Sequence, residues 1–152
     1  ILNSTDGTAN AGDDLLLEAG DGLGTPNITD VRFITSAPAG GSSKTVTVEV
    51  TWDEGITVAG SPQVTVANNN AGSGSGRSCV LTYTATGSSA NRKRFTATNI
   101  TVAEDDVLSV GAATGSLALN SGTLSDTEMG GTAVPAFLSL TDTSAVTQTV
   151  TG

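Results

Sequence analysis

From Thr45 to Trp52 the chain alternates without a break. Val46, Val48, Val50 and Trp52 fall on one side of an extended strand, and Thr45, Thr47, Glu49 and Thr51 on the other. This period of two predicts a strand half-buried in a β-sandwich. Before it, Val31-Arg32-Phe33-Ile34 predicts a short strand ended by the turn Pro38-Ala39-Gly40-Gly41. After it, further strands are expected at 63–67, 79–85, 94–97, 100–102, 107–110, 117–119 and 122–124. Asn68-Asn69-Asn70, Gly87-Ser88-Ser89 and Asn120-Ser121-Gly122 supply turns between them. The apolar phase of these strands predicts a core containing Val48, Val50, Trp52, Leu81, Tyr83, Phe95, Leu108 and Leu119. Trp52 shares a face with three valines, which makes it a packing residue rather than a sugar-stacking one.

Composition agrees with an all-β chain. The 152 residues suit one domain with length left over for arms. Hydrophobic residues make up 37% and charged residues 14%, too apolar for a disordered chain, and the 19 glycines favour turns. Leu15-Leu16-Leu17 is the longest run of large apolar residues, far short of a membrane span, and no segment has the form of a signal peptide. A start at Ile1 rather than Met is expected of a processed product or of a chain lacking its initial segment. The formal net charge of −9 would repel phosphate, so nucleic acid is not an expected partner. The basic cluster Arg92-Lys93-Arg94 reads as a solvated hairpin edge. With Cys79 the single cysteine, no intrachain disulfide can form, and its place in the alternating run Cys79, Leu81, Tyr83, Ala85 predicts a buried packing role.

Little in the residue inventory carries chemistry. There is no histidine, which removes the commonest general base and every Ser-His or Cys-His pair. The stretch Gly72-Ser73-Gly74-Ser75-Gly76 lacks the lysine and helix of a phosphate loop and reads as a hairpin tip. Paired carboxylates occur at Asp13-Asp14, Asp53-Glu54 and Glu104-Asp105-Asp106, in turn-like contexts where acids normally face water. No catalytic residue and no cofactor is therefore expected. Asn10-Ala11-Gly12-Asp13-Asp14-Leu15 followed by Gly20-Asp21-Gly22 echoes one degenerate copy of a calcium-binding Gly/Asp repeat. Asp13, Asp14 and Asp21 are thus weak calcium candidates, and a plain turn-rich arm is the favoured reading.

The expected organisation is an N-terminal arm over residues 1–28, a sandwich domain over 29–134, and a C-terminal strand or arm over 135–152, in which Thr147, Thr149 and Thr151 suggest one more strand. Leu15, Leu16, Leu17, Phe137, Leu138 and Leu140 are apolar residues outside the central unit. Strand addition to a neighbouring subunit would cover them, so they are the expected assembly contacts.

A resemblance supports this division. The run from Lys44 through Val58, continued by Val58-Ala59-Gly60-Ser61-Pro62 and Val64-Thr65-Val66, resembles a bacterial Ig-like repeat of large cell-surface proteins first associated with swimming motility. Phe95 through Asp105 looks like that family's strand and turn, and Leu117 through Asp126 is similar to its closing Leu-x-Leu segment. The match covers about residues 30–134 and departs from the family at Trp52, Glu104 and Gly130-Gly131. It implies an immunoglobulin-like β-sandwich. Asn3-Ser4-Thr5-Asp6-Gly7-Thr8 through Asn10-Ala11-Gly12-Asp13-Asp14-Leu15-Leu16-Leu17-Glu18 resembles a phrase of tailed-phage virion proteins, especially marine ones.

Together these resemblances imply a non-enzymatic virion structural protein, as capsid decoration ahead of tail or fibre component. Its partners would be other virion subunits or copies of itself, with no membrane partner. The alternatives are a bacterial surface adhesin module binding a host-surface glycan or a protein, and a self-polymerising extracellular filament subunit.

Overall fold

The abundance of Val and Thr, broken every few residues by Gly, Asn and Ser, favours strands and turns over helices. The computed structural model describes residues 25–34, 39–72, 78–110, 117–127 and 146–151, and among them there is no helix. The strands are β1 (Ile28–Phe33), β2 (Gly41–Trp52), β3 (Ile56–Ala59), β4 (Gln63–Asn68) and β5 (Cys79–Thr84), then β6 (Arg92–Val102), β7 (Val107–Val110), β8 (Leu117–Ala118), β9 (Thr123–Asp126) and β10 (Val146–Thr149).

All the strand pairs are antiparallel, and they form a sandwich that approaches a barrel. The main sheet runs β1-β2-β6-β5-β4-β7-β10, and β3 pairs with β9 in a separate ribbon. Strand β4 divides its second edge, pairing β8 through Gln63 and Val64 and β7 through Ala67 and Asn68. That split lets the sheet turn back on itself. Its two ends meet where the amide of Gly40 donates to the carbonyl of Thr151 over 2.8 Å, beside a parallel bridge from Ala39 to Thr151.

The core follows the alternation of β2. Val46, Val48, Val50 and Trp52 are buried against Val64, Val66, Leu81, Phe95, Leu108 and Val110. Of the expected core, Val48, Val50, Trp52, Leu81, Phe95 and Leu108 are buried, whereas Tyr83 and Leu119 are half-buried and pack against its margin. Tyr83 meets Phe95 edge to face, with ring centroids 6.2 Å apart. Cys79 is buried, as its place in the alternation predicts.

Two bulges shape the β2–β6 pair. Between the pairs Val46–Ala97 and Lys44–Ile100, β6 holds one residue more than β2; between Lys44–Ile100 and Gly41–Val102 the excess is on β2. A residue of positive φ marks each, Asn99 at 59° and Ser43 at 60°. The first bulge switches which residues of β6 face inward, from Lys93 and Phe95 to Val102. Residues 94–97 and 100–102, expected as two strands, are therefore parts of one.

Three further expectations are corrected. Strand β3 was not foreseen, because Ile56–Ala59 is too short to show a period of its own. Residues 146–151 hold the strand expected around Thr147 and Thr149, but it lies in the chain's own sheet rather than in a free arm: β10 pairs with β7, and Val150 is 1% exposed. Val150 is held there because its amide donates to the Asp106 carbonyl and its carbonyl accepts from the Asp105 amide. The boundary drawn at residue 28 falls at the first residue of β1.

Candidate binding surface

On the outward side of β2, three threonines and one glutamate were expected to face solvent. The glutamate does not. Glu49 is 0% exposed, because arginines from the strands on either side close over it. Register sets this up: Glu49 lies opposite Arg32 on β1 and opposite Arg94 on β6, with Arg92 two pairs further along, opposite Thr51. Arg32 donates from Nε and Nη2 to Oε1 over 3.1 and 2.6 Å, Arg94 donates from Nε to Oε2 over 2.9 Å, and Arg92 Nη1 stands 3.8 Å from Oε1.

Burial alone would raise the Glu49 pKa. Hydrogen bonds from Arg94 and Arg32 and the charges of Arg32 and Arg92 outweigh that penalty and hold the carboxyl below its ordinary value. The hairpin between β5 and β6 makes room for the cluster. Gly87, at a φ of 76°, lies where any Cβ would run into the Arg94 guanidinium, and Ser88 Oγ accepts from the Arg94 amide over 2.9 Å.

The expectation of a solvated basic edge at 92–94 is thus overturned. These residues start a central strand, and the alternation of β6 splits them between its two faces. Lys93 turns inward, is 7% exposed and donates from Nζ to the Ser89 carbonyl over 2.7 Å, and burial lowers its pKa. Arg92 and Arg94 turn outward to Glu49. Beyond them the same outer face continues through Thr47 and Thr96, whose hydroxyls are 2.9 Å apart, to Thr82 on β5.

A second concavity opens where β6 leaves β5. Their ladder runs from Thr84–Arg94 to Thr82–Thr96 and no further, since the Asn99 bulge carries β6 away. The resulting groove of about 410 Å³ is lined by Cys79, Val80, Asn99, Ile100, Val102 and Leu108 among others. Val80 is half exposed at its rim. Burial pushes the Cys79 thiol up to about 11, so the groove holds no thiolate nucleophile at neutral pH.

Two of the paired acids, Asp106 and Asp53, serve the loops. Asp106, expected to face water, is 1% exposed and accepts from Asn68 Nδ2, the Ala103 amide and the Gly72 amide over 2.9, 3.0 and 3.0 Å. It thereby ties the β6–β7 turn to the segment after β4. Asp53 accepts from the amide and side chain of Asn27, fixing the entry to β1. Among the described residues no group of three or more His, Cys, Asp or Glu side chains is placed to hold a metal ion. The calcium candidates Asp13, Asp14 and Asp21 lie outside the described residues, as do Leu15, Leu16, Leu17, Phe137, Leu138 and Leu140.

Sequence reasoning missed the Glu49 cluster. Its signal was a lone acid on a threonine face, with one Arg-x-Arg repeat and one further arginine on other strands at the same phase. Only pairing register brings them together. Comparison with protein-family models, curated proteins and solved structures returns no match for this chain.

Proposed function

We propose that this chain is a non-enzymatic structural module of a larger extracellular or viral assembly, with capsid decoration ahead of a tail or fibre role. The sandwich is read as immunoglobulin-like, and segments outside it join the chain to its neighbours. The observation that carries this reading is the use made of Glu49 and Asp106, two of the three buried acids among the described residues. Glu49 is neutralised by arginines, and Asp106 fastens two loops through backbone amides. Neither is left poised beside a nucleophile or an open cleft, which favours a scaffold over a reaction centre.

The resemblance to Ig-like repeats and to tailed-phage virion phrases supplies the viral setting. The adhesin alternative is less well supported, because Trp52, the one indole that could stack on a sugar, is 0% exposed. Immunogold labelling of intact particles with antibodies against the sandwich tests the proposal. Regular labelling of a capsid or tail supports it, and labelling confined to cell envelopes points to the adhesin reading instead.

A further inference from the structure

We infer that Arg32, Arg92 and Arg94 form the docking site for the acidic N-terminal segment of a second copy of this chain. The inference rests on the assembly reading above and names the surface through which that assembly is made.

The first argument is charge. The described residues hold eight acids and five bases, yet three of those bases converge on the single Glu49 carboxylate. Asp30 approaches Arg32 at 4.0 Å, which still leaves the patch with one positive charge in excess. The first 24 residues carry five carboxylates, at Asp6, Asp13, Asp14, Glu18 and Asp21, and no Lys or Arg. Two copies of a chain at net −9 repel each other except where such a patch meets such a segment.

The second argument is donor geometry. Arg32 directs Nε and Nη2 at the same Glu49 oxygen, and Arg92 donates from Nε to Ser89 Oγ over 3.2 Å. Their side chains are 51% and 44% exposed, so guanidinium edges remain open to a further acceptor. Glu49 and Ser89 fix these forks in advance, which reduces the ordering cost of capturing a carboxylate.

The third argument is position. Arg32 on β1 and Arg92 and Arg94 on β6 flank β2 on the Glu49 side of the sheet, so an extended segment lying across that face reaches all three. In an extended conformation Asp14, Leu16 and Glu18 share one face, and Asp13, Leu15 and Leu17 the other. Laid across that face, the pattern offers Asp14 and Glu18 to the arginines and turns Leu15 and Leu17 away from them.

Sedimentation velocity on the full chain, over a range of protein concentrations at roughly 0.05 M and 0.5 M salt, tests the inference. The expected result is association at low salt that weakens about tenfold or more at high salt. Arg92→Glu should weaken it similarly, Arg92→Gln to a lesser degree, and Asp14→Lys combined with Arg92→Glu should recover it. Because Arg92 makes the longest contact with Glu49, the Gln variant serves if the Glu variant fails to fold. Association indifferent to salt and to both Arg92 variants would overturn the docking site while leaving assembly through other contacts intact. A monomer at every concentration would overturn both. Recovery of thermal stability by the charge-swapped pair in a monomer would place the segment on its own sandwich and overturn the second-copy reading.

Discussion

Arg94 meets Glu49 from the directly opposed position on the neighbouring strand, Nε to Oε2 at 2.9 Å, so the ion pair is set by the register of β2 against β6. A slip of one residue would turn Glu49 into the valine core. The buried carboxylate therefore specifies register as well as joining three strands.

Replacing Glu49 with Gln should destabilise the fold by about 3 kcal/mol, since charged partners lose the group they are arranged around. Folding lowers the Glu49 pKa below its ordinary 4.5, so its contribution is complete above about that pH and is lost as the pH falls through the lowered value. Urea melts of wild type and Glu49→Gln should differ most near neutrality and converge in acid. A constant difference down to pH 2 or so would mean that the pairing does not lower the carboxyl.

Trp52→Ala should cost about 3–5 kcal/mol by opening a cavity beneath β2. Chemical denaturation measures this directly. A loss under about 1 kcal/mol would contradict its place at the centre of the core.

Cys79 should react slowly in the native state. With its pKa raised from 9.0 to about 11, its thiolate fraction at pH 8 falls about a hundredfold. Ellman's reagent should label it promptly only after unfolding, and prompt labelling of the folded chain would contradict the burial.

Removing residues 146–152 should lower the melting temperature by many degrees. The loss would come from the β7–β10 ladder, the Val150 contacts and the Gly40–Thr151 closure. Circular dichroism melts on the shortened chain check this. An unchanged melt would show that β10 contributes nothing to the sheet.

How much of this was legible in the sequence depends on the range of the interaction. Strand β2 and strand β7 could be read from local alternation, since period two and burial are the same fact for a one-sided strand. β6 read as two strands because the Asn99 bulge breaks the period without ending the strand. The short β3 left no period to read. The Glu49 cluster was illegible for a different reason. Arg32, Glu49 and Arg94 are separated by 17 and 45 residues and meet only through strand pairing, which no local pattern encodes. The opposite destinations of Lys93 and its flanking arginines follow from alternation and were hidden by treating three adjacent cations as one patch.

The central claim is that this chain is a component of an assembly. Quantitative mass spectrometry of gradient-purified particles from the source culture tests it most directly, by measuring copies of this chain against the main shell protein. The account predicts a fixed stoichiometric ratio that survives repeated purification. Absence from the particles, with recovery of its peptides from a tandem-repeat polypeptide of the cell envelope, would contradict it.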